Sequence, residues 1–157
     1  MIANEYKSLC VYETKPKHRL YILANLFYLM IVTAAIIFKG EKILIAKRHH
    51  QWEFPGGRLE EDETMGECIV REIKEELNID IAIIKKFLVV RNEEIELHVF
   101  MARYLEGEIK LNFHQDVKWV DLKELNEYEF LPLDKKIVER LLKTKPSISE
   151  SKNLRKN

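Results

Sequence analysis

From Trp52 to Leu77 the chain runs through Pro55-Gly56-Gly57 and an acid-rich turn into a segment whose residue spacing admits one local structure. Pro55 ends an extended segment, and the two glycines let the backbone turn sharply. Thr64 followed by Glu67 forms a T-x-x-E capping box, which predicts a helix from Thr64 to Leu77. Ile69, Val70, Ile73 and Leu77 fall within one stripe of roughly 100° and predict its buried face. Glu72, Glu75 and Glu76 share a neighbouring side, at spacings of three and four that bring their carboxylates within reach of a common point.

An acidic helix face is ordinarily a solvated one, and Glu67 with Arg71 and Arg71 with Glu75 make i,i+4 pairs of the surface kind. Glu72 and Glu76, however, are like charges at i,i+4, and the Pro-Gly-Gly turn lies just upstream, where a backbone carbonyl can join them. Mg²⁺ takes hard oxygen ligands: one or two carboxylates, waters and the phosphates of a substrate. The acids and the glycine turn together match that need, with Mn²⁺ as a substitute cation.

Residues 57–79, GRLEEDETMGECIVREIKEELNI, resemble the Nudix box, G-x5-E-x7-R-E-U-x-E-E-x-G-U with U a bulky aliphatic. Gly57, Glu63, Arg71, Glu72, Ile73, Glu75, Glu76 and Ile79 match in register; Asn78 stands where the pattern has glycine. Asparagine is the best substitute for a left-handed helix end, so intact chemistry is expected. Residues 31–48, the EFPGG before the box, and residues 114–142 extend the likeness to the MutT branch, whose members hydrolyse nucleoside triphosphates to the monophosphate and pyrophosphate. The resemblance implies an α/β/α sandwich: an α+β fold with a mixed sheet, the box helix on one side and the C-terminal helix on the other.

The same resemblance implies residue roles. Glu72, Glu75 and Glu76 would hold Mg²⁺ with the Gly56 carbonyl, and Glu72 is the leading general base. Glu63 and Arg71 would orient these acids through hydrogen bonds. Arg48 and Arg58 are placed to meet phosphates, with solvated surface cations as the plain alternative. Glu53, Phe54, Pro55 and Gly56 resemble the segment lining the nucleotide pocket, Phe54 being either a wall for the base or ordinary core. Asp134 matches a position that reads the base edge, where a carboxylate accepts from an exocyclic amine; it also suits the N-cap of the last helix. Many relatives carry an acid just before the His114-Gln115 pair, and this chain has Phe113 there, leaving Asp116 as the nearest candidate carboxylate. His49 and His50 read as a solvent-exposed loop pair, and Trp119 as core.

Apolar, β-branched stretches predict strands at residues 31–38, 43–47, 81–91, 97–105, 109–112 and 117–120, joined by tight turns at KGEK, NEE and EGE. A second helix is predicted at residues 134–142. Residues 20–38 are nineteen residues without a formal charge, long enough to span a bilayer. The polar KGEK followed by an apolar segment instead favours a strand at residues 31–38 with its hairpin partner. The expected organisation is an N-terminal extension at 1–29, a catalytic domain at 30–143 and a polar tail at 144–157 without fixed structure.

Lys plus Arg (26) balance Asp plus Glu (26), which argues against a nucleic-acid polymer as substrate. The two cysteines, Cys10 and Cys68, have no metal-ligand or disulfide-framework spacing, which suits the cytoplasm. The expected partner is a small nucleotide rather than a membrane, and a monomer and a homodimer fit equally. Cleavage of a nucleoside triphosphate with a modified, oxidised or cytidine-type base is the leading reading. The alternatives are a module that senses a nucleotide without cleaving it and an enzyme acting on another nucleoside diphosphate derivative.

Overall fold

A computed structural model describes residues 29–146. The chain order is β1 (Met30–Lys39), β2 (Lys42–Arg48), β3 (Gln51–Glu53), α1 (Met65–Leu77), β4 (Asp80–Arg91), β5 (Ile95–Glu106), β6 (Asp116–Asp121), a 3-10 helix (Leu122–Glu127) and α2 (Pro132–Thr144). The sheet runs β3-β2-β1-β5-β4, with β6 also on β2. It is mixed: β1 lies parallel to β5, and the remaining pairs are antiparallel.

Strand alternation sorts the core into two layers. Ala34, Ile36 and Phe38 of β1 join Leu97, Val99 and Met101 of β5 under Ile137, Val138 and Leu141 of α2. Ala35 and Ile37 join Phe100 and Ala102 on the opposite face, under Ile69, Ile73 and Leu77 of α1. This is the α/β/α sandwich. Each fully buried aliphatic side chain contributes roughly 1.5–3 kcal/mol, so α1 is anchored chiefly by these three residues. Val70, expected among them, is 40% exposed; it stands one residue, about 100°, beyond Ile69 at the margin of the stripe.

β1 and β2 pair only at the hairpin end, Phe38 with Ile43 and Lys39 with Lys42. β2 then diverges to pair with β6 and β3, and the loop after β3 lies against β1 in its place. Thr33 N donates to Gly57 O (2.8 Å), Ala35 N to Pro55 O (2.9 Å) and Leu59 N to Ile31 O (3.0 Å).

Three sequence expectations are corrected. Residues 109–112 form no strand: Lys110 N donates to Leu77 O and Asn112 N to Glu76 O, satisfying carbonyls that the end of α1 leaves open. The EGE turn therefore joins no hairpin. The last helix begins at Pro132, with Leu131 at its N-cap, so Asp134 lies inside the first turn and is not the cap. The strand β3 was not expected, because three residues are too few to show alternation. The strand at Met30–Lys39 excludes one continuous helical span over residues 20–38, whose earlier part lies outside the described residues, as does the extension before residue 29. Among the described residues no helix is long and apolar enough to cross a membrane.

Candidate active site

The turn preceding α1 is shaped by two glycines with different constraints. A Cβ on Gly56 would stand 2.1 Å from the Thr33 carbonyl oxygen, so only glycine allows this loop to lie along β1. A Cβ on Gly57 would stand 2.1 Å from the Glu72 carboxyl carbon, so glycine there leaves room for a side chain of α1. The neighbouring carbonyls of Pro55 and Gly57 are taken by β1.

Helix α1 starts as expected. Thr64 Oγ1 accepts from Glu67 N and Glu67 Oε2 accepts from Thr64 N, completing the capping box. Glu67 is thereby committed to the cap. At the other end Asn78 adopts φ 58 and ψ 27, the left-handed closure, with its N–H donating to Lys74 O.

Arg71 organises the acids. Its Nη2 and Nε donate to the two oxygens of Glu63 at 2.7 and 3.0 Å, and its Nη1 lies 3.0 Å from Glu72 and 3.3 Å from Glu75. The Arg71 hydrogen bond, followed by the Glu60 amide, holds the Glu63 carboxyl down at about 2. Beneath this network the Cys68 thiol lies 3.3 Å from Thr33 Oγ1, and burial pushes it up to about 11. That makes it an inert packing group.

Glu72, Glu75 and Glu76 line one open cleft of about 380 Å³ together with Arg48, Arg58, Gly56, Gly57, Asn112 and Phe113. They do not gather at a single point. Glu75 is exposed and, like Glu72, leans on Arg71, and among the described residues no three His, Cys, Asp or Glu side chains already surround a metal-sized position. Glu72 and Glu75 share the Arg71 guanidinium. Glu76 differs: it is buried, its Oε2 has no hydrogen-bond partner, and burial, then the charges of Glu72 and Glu53, push it up to about 8. A buried, unpaired carboxylate oxygen beside two more carboxylates is a donor set that fits a hard divalent cation.

A second cavity of about 380 Å³ adjoins the cleft and shares Arg48, Gly56, Gly57 and Arg58 with it. Glu53, Phe54, Asp134 and apolar residues of β1, β5 and the start of α2 line the rest. Phe54 is 3% exposed and stacks on Phe130 with centroids 5.4 Å apart, so it is core that also walls the cavity. Asp134 is buried, and its Oδ1 accepts from Phe54 N at 2.8 Å; burial foremost pushes its carboxyl up to about 7. Pro55, expected in the pocket wall, is buried, its carbonyl is taken by Ala35 N, and it lines neither cavity.

One residue at the site was not singled out by sequence. His114 is buried, and its Nε2 lies 2.8 Å from Glu53 Oε1. Only an apolar neighbourhood for a lone histidine could have signalled it, and Phe113 and Gln115 give no such pattern. Asp116 is exposed at the start of β6, pairs across the ladder with Lys47 and accepts from its neighbour's Val117 N; it does not line the acid cleft. His49 and His50 are exposed in the β2–β3 turn, His49 with φ 55. Trp119 is half-buried, set edge-on to Tyr104.

Comparison with known proteins bears on this site. The model of the NUDIX domain family matches residues 29–141. A CTP pyrophosphohydrolase from Escherichia coli (strain K12) is 33% identical over 122 residues, covering 71% of this chain and 90% of that protein. An 8-oxo-dGTP diphosphatase from Buchnera aphidicola subsp. Schizaphis graminum is 28% identical over 120 residues, 71% of this chain and 92% of that protein. A MutT structure from work on Aliivibrio salmonicida and Vibrio cholerae superposes with a TM-score of 0.64 at 26% identity, covering 74% of this chain and 99% of that one.

Proposed function

Because this chain belongs to the NUDIX domain family and is a MutT-like Nudix hydrolase, we propose that it cleaves a nucleoside triphosphate to the monophosphate and pyrophosphate. The base is of cytidine type or an oxidised purine, the classes named for its relatives. The observation that carries this reading is the pair of adjoining cavities joined by Arg48 and Arg58, one acidic and one largely apolar. A nucleotide has the same two halves.

In this reading residues 30–143 are the catalytic unit, working in the cytoplasm. Glu72, Glu75 and Glu76, with the Gly56 carbonyl, would hold Mg²⁺ or, as a substitute, Mn²⁺; when bound, the cation neutralises polyphosphate charge, polarises phosphoryl oxygens and acidifies water. Arg48 and Arg58 bind phosphates on the seam between the cavities. Water attacks phosphorus in line, Glu72 takes its proton, and the arginines absorb charge on the departing pyrophosphate. Glu63 fixes Arg71, which in turn restrains Glu72 and Glu75. Glu53, Phe54 and Asp134 receive the base, and a carboxylate there accepts from an exocyclic amine such as that of cytosine.

The test is release of pyrophosphate from a panel of canonical and oxidised triphosphates, ranked by kcat/KM with and without Mg²⁺. Glu75→Gln and Glu76→Gln are each expected to lower turnover by roughly 10²-fold. Unchanged turnover in both variants would remove the site assignment.

A further inference from the structure

We propose that His114 is a positioning residue for the nucleotide, acting by holding the Glu53 carboxylate away from Arg48. The inference rests on the site assigned above. The His114 side chain is fully enclosed, at 0% exposure, and its Nε2 meets Glu53 Oε1 at 2.8 Å. The carboxylate accepts, so Nε2 carries the proton. The other ring nitrogen, Nδ1, is buried with no partner among the described residues. The polar contact this ring makes thus ends on a carboxylate that lines the base cavity.

The flanking residues repeat the pattern. The Phe113 ring lies 5.5 Å from the Arg48 guanidinium carbon and edge-on to His114, with centroids 5.2 Å apart. Gln115 N donates to Lys47 O at 2.9 Å. Three consecutive residues therefore meet Arg48, Glu53 and Lys47, at the ends of β2 and β3, where the two cavities join. Arg48 Nε and Glu53 Oε2 stand 3.9 Å apart, an ion pair too long for a hydrogen bond. Without the imidazole N–H, Glu53 is free to close that gap and take the guanidinium for itself. Phosphates would lose a cation and the base a fixed acceptor, while the acids of α1 keep their places. The loss falls on binding rather than on the chemical step.

His114→Phe keeps a ring and removes the donor, whereas His114→Gln keeps an N–H within reach of Glu53. For CTP, or the best nucleotide of the panel, the phenylalanine variant is expected to raise KM roughly tenfold, the loss expected for one charge-assisted hydrogen bond. Its kcat should stay within about twofold of the parent, and the glutamine variant should recover KM to within about threefold. In a Glu53→Gln background, where no ion pair with Arg48 can form, His114→Phe should raise KM by much less. An unchanged KM in His114→Phe, no recovery in His114→Gln, or an undiminished effect in the Glu53→Gln background overturns the proposal. Should the phenylalanine variant fail to fold, the imidazole nitrogen NMR spectrum of the parent decides: a proton on Nε2 supports the arrangement and one on Nδ1 alone refutes it. Absence of turnover in the parent with every nucleotide would instead sink the enzyme reading. Calorimetric binding of CTP to the parent and to His114→Phe then reads the positioning role on its own, with about tenfold weaker binding supporting it and equal binding refuting it.

Discussion

The Glu63 carboxylate grips Arg71 side-on, its two oxygens taking hydrogen bonds from Nη2 at 2.7 Å and Nε at 3.0 Å. The same guanidinium reaches Glu72 and Glu75, so one ion pair sets the positions of two cleft acids. Glu63→Gln is expected to lower kcat by roughly 10–100-fold, as loss of an orienting partner does. Its folded value, about 2, lies below the ordinary 4.5. The Arg71 contact therefore stabilises the fold above about pH 4.5, and that contribution is lost as pH falls toward 2. Acid unfolding followed by circular dichroism should show a shallower acid limb in Glu63→Gln than in the parent.

The two glycines of the turn should separate folding from catalysis. Alanine at Gly56 meets the backbone of Thr33, which cannot give way, so Gly56→Ala is expected to cost about 2 kcal/mol or more. Alanine at Gly57 meets the end of the Glu72 side chain, which can swing aside. Gly57→Ala should change stability by less than about 1 kcal/mol while reducing kcat at least about tenfold. Denaturant titration beside steady-state kinetics distinguishes the two patterns.

Burial and the Glu72 and Glu53 charges raise Glu76 to about 8 from 4.5. An acid whose folded value is raised binds its proton more tightly when folded, so stability falls as pH rises from about 4.5 to 8. Glu76→Gln removes that loss. In a chelator at pH 8 the variant is expected to melt roughly 5 °C above the parent, and the gap should close toward pH 5. A melting series across that range checks it.

Asn78 holds φ 58 and its Nδ2 donates to Glu108 O at 3.1 Å. Asn78→Ala forces a Cβ residue without that hydrogen bond into the left-handed region and is expected to cost about 1–2 kcal/mol. Asn78→Gly should stay within about 0.5 kcal/mol of the parent. Denaturant melts measure both, and neither variant should alter KM.

What was legible in the chain was mostly local. The Thr64–Glu67 cap depends on a short, fixed spacing visible in a string of letters, and the left-handed Asn78 and the Glu63–Arg71 pair followed from the resemblance to the Nudix box. The apolar, β-branched run of β1 likewise announced a strand. Residues 109–112 misled because their pattern suits a strand, while the open carbonyls of Leu77 and Glu76 claimed their N–H groups first. The contacts of Asp134 and His114 were opaque for a related reason. Their partners, Phe54 and Glu53, lie 80 and 61 residues away, and only the folded sheet brings those pairs together.

The divergence of β2 from β1 leaves an edge of the central strand to be filled by residues 55–59. Those residues are joined to the middle of the molecule as firmly as a strand would be. The amide protons of Thr33 and Ala35 should then resist exchange with solvent for as long as those of the innermost strands. Any shift of this segment must break its backbone bonds to the central strand, so the cleft floor moves only at the expense of the sheet.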